Sequence, residues 1–433
     1  MMNFSVGKLF HGYKYRFLIP SLLISSFFIT ACNSTADDDA AQIKVPAGFK
    51  ITVFANECGS ARHMAVNGNG DVYVALQNMS KGGGIAALRD TDGDYKADEI
   101  KYFGDLPGTG LDIYKGYLYF ASDTSIVRYK LTPGKLIPDS LPESIAGGFE
   151  FETQHAAKTF DFDDNGWMYV NVGAPSNACM EQMRTPGSKG MDPCPLLERF
   201  GGIWRFKAET QGQTQLKDGY RFATGIRNAV AIAWNPLKPN LYIVQHGRDQ
   251  LSQLWPDLFT DEQSAQLPAE EFFLVKDGMN FGWPYSYYDQ IQGKKVLAPE
   301  YGGNGKSTER CENFENPIMA FPGHWAPNDL MFYDGRNFPE HYRGGAFIAF
   351  HGSWNRAPLE QQGYKVVFVA FNDSLPAGKW EDFAVGFPGK KIIKSPGEAR
   401  YRPMGLAEAL DGSLYICDSV RGRIWRVSYT GGY

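Results

Sequence analysis

The chain lacks the sequence patterns of several common chemistries. It contains no CxxCH motif, so no covalently held c-type haem is expected, and any electron it handles must leave through an external partner. It contains neither G-x-S-x-G nor H-E-x-x-H, which removes the nucleophile-elbow hydrolases and the helix-borne zinc proteases. Gly303-Asn304-Gly305-Lys306-Ser307 imitates a phosphate-binding loop, but Glu300 stands where that motif needs its first glycine, and no βαβ context surrounds it. There is no lysine-rich tract and the formal net charge is −5, which disfavours nucleic-acid binding. Heptad patterning is also missing. What is abundant is Gly (48), Phe (30), Tyr (23) and Trp (9), a composition suited to many short strands joined by tight turns.

Residues 1–31 read as a leader. Lys8, Lys14 and Arg16 precede an apolar stretch, Phe17–Thr30, that is too short to span a bilayer comfortably. It ends at Ile29-Thr30-Ala31-Cys32, which resembles a bacterial lipoprotein signal and implies lipidation of Cys32. Asn33 follows where an inner-membrane retention signal would carry Asp, so the expectation is a lipoprotein on the periplasmic side of the outer membrane. Residues 32–43 would then be a polar tether. In that oxidising compartment Cys179 and Cys194 flank a Pro- and Gly-rich loop and are candidates for a local disulfide, whereas the pairing of Cys58, Cys311 and Cys417 stays open.

Beyond the tether, one unit recurs six times: a turn, then an alternating strand with a central aromatic. The copies are Asn69–Val74, Lys115–Phe120, Asn165–Val170, Pro239–Val244, Arg343–Ile348 and Asp411–Ile416. A second strand follows most of them, as in Ile126–Tyr129, Ile203–Phe206, Val366–Val369 and Ile424–Val427. The first intervals match a four-stranded blade, and the longer ones imply insertions, the chief one at about 256–325. Each unit buries too little by itself and must stack on its neighbours, so six units predict an all-β, six-bladed β-propeller over 44–433. In such a ring the segments after the repeat strands converge on one face. Gln245-His246-Gly247 and Phe350-His351-Gly352 should therefore share a pocket, with Arg227, Arg248, Arg356, Arg400 and Arg402 around it. Arginine forks suit carboxylates and phosphates, so the choice lies between internal ion pairs and a small polyanionic ligand. His246 and His351 imitate metal ligands, but no third residue stands at zinc-like spacing.

The segments GIRNAV (225–230), QHGRD (245–249), HWAP (324–327), FHGSWNR (350–356), GYKVV (363–367) and RYRPMGLAEALDGSLYICD (400–418), in this order, resemble the quinoprotein sugar dehydrogenases. The branch is that of sorbosone-dehydrogenase-like and pyranose dehydrogenases, with soluble quinoprotein glucose dehydrogenase more distant. The resemblance spans about 44–429 and implies a six-bladed propeller holding pyrroloquinoline quinone (PQQ), a tricarboxylate ortho-quinone, with Ca²⁺. It implies His155 as the general base for hydride transfer from a sugar, Arg227 as the stabiliser of developing charge, and Asn228, His324, Asn355, Arg356, Arg400 and Arg402 as cofactor contacts. It implies calcium on the carbonyls of Gly247 and Arg248, and electrons passed to an external quinone or cytochrome. Two positions depart from the glucose branch. Gln154 precedes the histidine where that branch has Asp, and Asn355 and Arg356 stand near the place of its lysine.

Asp90-Thr91-Asp92-Gly93-Asp94-Tyr95-Lys96-Ala97-Asp98 has the alternating oxygens of a calcium loop, with Asp90, Asp92, Asp94 and Asp98 as candidate ligands, although Lys101 occupies the place of the final glutamate of an EF-hand. An acidic hairpin turn is the plainer account. Two other functions share the architecture: a calcium-dependent hydrolase of lactonase type, which needs several carboxylates or Asn on an axial metal, and a non-catalytic propeller that binds glycans or a protein.

Overall fold

A computed structural model describes residues 42–431. The leader, Cys32 and nearly all of the tether lie outside the described residues. Among the described residues, six antiparallel sheets of four or more strands form the blades of a propeller. Blade 1 comprises Ala61–Val66, Val72–Ser80, Gly83–Arg89 and Glu99–Phe103. Blade 2 comprises Gly110–Tyr114, Tyr117–Ala121, Ile126–Lys130 and Glu143–Gly147, with Gln213–Thr214 added at its edge in parallel. Blade 3 is Phe160–Phe162, Trp167–Val172, Gly202–Lys207 and Tyr220–Thr224, and blade 4 is Ala231–Asn235, Asn240–Gln245, Glu270–Val275 and Met319–Phe321. Blade 5 is Pro327–Phe332, Ala346–Phe350, Lys365–Val369 and Glu381–Ala384. Blade 6 takes Pro403–Glu408, Leu414–Asp418 and Ile424–Tyr429 from the end of the chain, and its outer strand, Phe49–Ala55, from the beginning. That pairing runs from Phe49 opposite Tyr429 to Ala55 opposite Ile424 and closes the ring. The first strands of successive blades touch in ring order and line the axis.

The recurring unit is the second strand of each blade and the hairpin that leads into it. The turn needs a left-handed residue, supplied for example by Gly116 (φ 79°) and Gly166 (φ 85°). The recurring tyrosine has a specific task. Tyr73, Tyr119 and Tyr242 are fully buried, and each hydroxyl donates to a carbonyl beyond the third strand of the next blade: Leu136 (3.0 Å), Ala208 (2.9 Å) and Ser374 (2.9 Å). A buried ring thus packs between blades while its polar tip is satisfied across the seam, worth about 1 kcal/mol net for each hydrogen bond beyond the burial itself. In blade 3 the equivalent Tyr169 bonds Asp163 instead and stacks on Trp234 of blade 4 at 5.9 Å.

The stretch 256–325 is not a single excursion. The third strand of blade 4, Glu270–Val275, divides it, and the fourth, Met319–Phe321, nearly ends it. Between them lies a hairpin, Ser286–Asp289 with Lys294–Leu297. Its Lys295 is buried and donates to Glu271 (2.7 Å) and to the Phe281 carbonyl (2.9 Å), so the insertion is held by a paired charge and not by apolar contact alone.

Candidate active site

Register determines which side chains meet. Ala61 lies opposite Leu76, Gly110 opposite Ala121, Ala231 opposite Val244, Pro327 opposite Phe350 and Pro403 opposite Asp418. The starts of the first strands and the ends of the second strands therefore share one face of the ring. There they enclose a cavity of about 740 Å³. Its wall takes Arg62, Thr109, Asn228, Asn328 and Arg402 from the first set, and Gln77, Asp123, His246 and His351 from the second. The loop before blade 3 adds Phe151, Glu152 and His155.

His155 is held in a left-handed backbone conformation (φ 54°), and its Nδ1 donates to the carbonyl of Ala174 at 2.5 Å. That bond fixes the tautomer and leaves Nε2 as an acceptor. Burial, reinforced by the neighbouring Arg227 guanidinium, holds its pKa down at about 3, so the ring is neutral over the ordinary pH range. His246 and His351 are neutral for the same first reason. Burial brings His246 to about 4, and burial with Arg402 and Arg62 nearby puts His351 well below its usual value. Their Nε2 atoms meet the Pro327 carbonyl (2.7 Å) and Ser419 Oγ (2.7 Å).

The arginines divide into two kinds. Arg227 is buried behind the wall with every arm engaged: Nη2 on Asp249 (2.7 Å) and Asn177 Oδ1 (3.2 Å), Nη1 on the Gly247 carbonyl (2.9 Å), and Nε on the Asn177 carbonyl (3.2 Å). Asp249 also accepts from Arg184 (3.0 Å) and from Asn355 Nδ2 (2.7 Å). Desolvation would raise its pKa, but Arg227, His324 and Arg184 outweigh that and hold the carboxylate ionised. Arg184 reaches it from a loop closed by the Cys179–Cys194 disulfide. Arg402 and Arg62 differ. Arg402 donates to the carbonyls of His351 (3.1 Å) and Gly352 (2.5 Å), and the contact of Arg62 is Thr109 Oγ1 at 3.4 Å. Among the described residues neither makes an ion pair. Burial brings the pKa of Arg62 down to about 10, with Arg402 adding to the decrease. Beside them Asn328 is 5% exposed, and its side chain acts on His246 through a hydrogen bond.

The structure thus brings together on the cavity three of the residues named from the motifs: His155, Asn228 and Arg402. Arg227 and Asn355 stand behind the wall on Asp249. The remaining arginines turn elsewhere. Arg248 is buried against Glu300 (2.6 Å), Arg356 donates to the carbonyls of Ala265 and Glu360, and Arg400 lies near Gln42 (3.2 Å). His324 is buried, with Nε2 at 2.8 Å from the Ser264 carbonyl, and is not on the wall. The reason is that each of these guanidinium groups finds oxygens of the chain itself: the Glu300 carboxylate, the backbone carbonyls of Ala265 and Glu360, and the Gln42 side-chain amide. Arg62 was missed by the motifs, yet the repeat carries its signal. It stands at the start of the first strand of blade 1, as Arg402 stands ahead of that of blade 6. Gly352, at the tip of blade 5, has φ 71°, and a Cβ there would lie 2.2 Å from the ring of Tyr364, so the tip admits no side chain.

At the acidic turn, Asp90, Asp92 and Asp98 bring ligand oxygens within 4.8 Å of one another. Asp94 is not in that group. Its carboxylate accepts from Lys96 N (2.8 Å) and faces Lys96 Nζ at 3.7 Å.

The fold and cavity place the protein in the class of six-bladed propellers represented by the PQQ sugar dehydrogenases. A family model described as TrAA12-like matches residues 43–430, and the chain belongs to that family. A protein of Borreliella burgdorferi described as uncharacterized is 23% identical over 415 residues, covering 94% of this chain and 96% of its own. The pyrroloquinoline quinone-dependent pyranose dehydrogenase of Coprinopsis cinerea is 28% identical over 235 residues, covering 48% of this chain and 31% of its own, so the match spans less than a third of that relative. Among solved structures, the holo PQQ domain of the Coprinopsis cinerea pyranose dehydrogenase aligns with a TM-score of 0.71 at 18% identity, over 89% of this chain and 97% of that one. The soluble aldose sugar dehydrogenase of Escherichia coli in its apo form aligns at 0.55 and 15%, over 88% and 99%. At these identities the structural likeness establishes the fold.

Proposed function

We propose that the protein is a PQQ-dependent sugar dehydrogenase whose active site is the cavity around His155. The observation that carries this reading is a neutral imidazole on a polar cavity, its Nδ1 committed to Ala174 and its Nε2 without a partner among the described residues, sharing that cavity with two guanidinium groups that make no ion pair among them. The residues fit a tricarboxylate. Arg62 and Arg402 offer fork-shaped cationic donors without an ion pair among the described residues, and Asn228 and Asn328 lie on the same wall. When bound, PQQ supplies a two-electron acceptor for hydride from the sugar carbon. His155 Nε2 takes the hydroxyl proton, and the bond from Nδ1 to Ala174 holds the ring in the required tautomer as it becomes charged. Arg227 acts on the base from behind the wall: its charge disfavours the imidazolium, which keeps the base free of protons before substrate arrives. An external partner would take those electrons, since the chain carries no CxxCH motif for a haem of its own.

Calcium belongs to the same reading with weaker support from the donors. The Gly247 carbonyl is taken by Arg227, and the nearby Glu270 carboxylate accepts from Gly247 N (2.8 Å) and Ala326 N (3.0 Å). A hard cation taking six to eight oxygens would need most of them from cofactor and solvent. A metal-dependent hydrolase finds less support still, because the ligand-forming carboxylates found grouped among the described residues are Asp90, Asp92 and Asp98, at an exposed turn. A non-catalytic propeller has no use for the free base.

The deciding experiment loads the protein with PQQ and Ca²⁺ and follows quinone absorbance and dye reduction over a panel of sugars. Binding with sugar-dependent reduction is expected, and binding without reduction by any sugar overturns the enzyme. The leader and Cys32 complete the proposal as a lipid-anchored envelope protein facing the periplasm, in which Cys32→Ala releases the protein from the membrane fraction.

A further inference from the structure

The cavity wall carries acidic groups as well as the two guanidinium groups. Asp123 and Glu152 line it, and among the described residues neither carboxylate has a hydrogen bond or an ion pair. Both lie close enough to the buried Lys158 to act on its charge, yet Lys158 Nζ spends its contact on the Ala156 carbonyl at 2.5 Å. Beside Glu152, Phe151 also lines the cavity and is 65% exposed. A large ring left open on the lip of a polar cavity is an apolar platform of the size of a pyranose face.

The balance of these charges depends on what else is bound. On the wall of the chain by itself Arg62 and Arg402 balance Asp123 and Glu152, while behind it Arg227 and Arg184 share Asp249. A tricarboxylate on Arg62 and Arg402 tips that balance, and what remains facing a substrate is acid. We propose that Phe151, Glu152 and Asp123 form a substrate-selecting lip, and that the cofactor-loaded site prefers a pyranose bearing a protonated amine over a neutral sugar, and a neutral sugar over a uronate. This rests on the dehydrogenase reading above. The ring lies on Phe151 and the ammonium donates to Glu152 and Asp123, a charge-assisted contact that a hydroxyl cannot equal.

Calorimetric titration of the quinone-loaded protein with glucosamine, glucose and glucuronate tests it. Glucosamine is expected to bind about tenfold more tightly than glucose, with glucuronate weakest. Glu152→Gln should bring glucosamine to within about twofold of glucose, and Phe151→Ala should weaken all three alike, by roughly fivefold. Glucuronate binding as tightly as glucosamine, or a glucosamine preference unmoved by Glu152→Gln, overturns the lip. Failure of the dehydrogenase reading shows separately, as absent quinone absorbance. In that case the lip, which needs the loaded site, is rejected together with that reading.

Discussion

Two cavities lie among the first strands of the blades, and they treat buried charge in opposite ways. The one on the ring face leaves, among the described residues, His155 Nε2 and the carboxylates of Asp123 and Glu152 without partners, and the guanidinium groups of Arg62 and Arg402 with neutral oxygens but no ion pair. The other, of about 280 Å³ and lined by first strands from all six blades, holds Asp112, Asp161, Asp329 and His63. There the aspartates are occupied with backbone. Asp161 accepts from Phe162 N (2.6 Å) and, across to blade 4, from Trp234 N (2.6 Å). Asp329 accepts from Leu330 N (2.8 Å) and, across to blade 6, from Leu406 N (2.7 Å), with His63 at 3.7 Å. A group whose polar atoms are spent on the chain staples blades, whereas one whose atoms face a cavity awaits a ligand. Burial alone does not tell them apart, since it shifts pKa values in both places.

The largest separation of the two regions should come from His155→Ala. Turnover is expected to fall about 10²- to 10⁴-fold with quinone absorbance retained, measured by dye reduction beside a cofactor titration. Asp329→Ala should do the reverse. With two buried N–H groups left bare it is expected to cost about 3 kcal/mol in urea unfolding, while the activity of the folded fraction stays at the parent value. Arg62→Leu should lower quinone affinity roughly 10- to 100-fold, read by absorbance titration, with an unfolding midpoint close to the parent. If Arg62→Leu destabilises the fold and leaves quinone binding intact, the division between staple and site fails.

The smallest effect is a pH slope. Burial raises the Asp161 carboxyl from its usual value to about 7, and Asp112 is raised beside it, so the native pair holds protons that the unfolded chain has released above pH 4. Its stabilising contribution is complete below about pH 4 and is lost as pH rises towards 7. Unfolding free energy should therefore decline over that window, and Asp161→Asn should flatten the decline.

Repetition made the fold legible. The hairpin glycine and the tyrosine after it recur because each blade solves the same turn and the same seam, as Tyr73, Tyr119 and Tyr242 show. His155, Asn228 and Arg402, named from motif order, line the cavity. Arg356 and Arg400, named the same way, do not line it, because a guanidinium goes to the nearest unsatisfied oxygen, and whether that oxygen belongs to a ligand or to the chain is decided by loops that no period governs. Arg62 went unseen for the opposite reason: it lies inside the first strand, within the regular part of the repeat, where a charged residue reads as ordinary surface.

The closing of blade 6 by Phe49–Ala55 has a consequence in time. Thr52 Oγ1 donates to the Arg426 carbonyl across 374 residues of sequence. At ordinary translation speed the early strand waits roughly 20 to 75 seconds for its partner. Until then its hydrogen-bonding edge is bare, and the first blade lacks the neighbour that completes its inner packing. The ring is therefore assembled only after synthesis of the chain is nearly finished, and a nascent chain halted before residue 424 should remain open to proteases along its whole length.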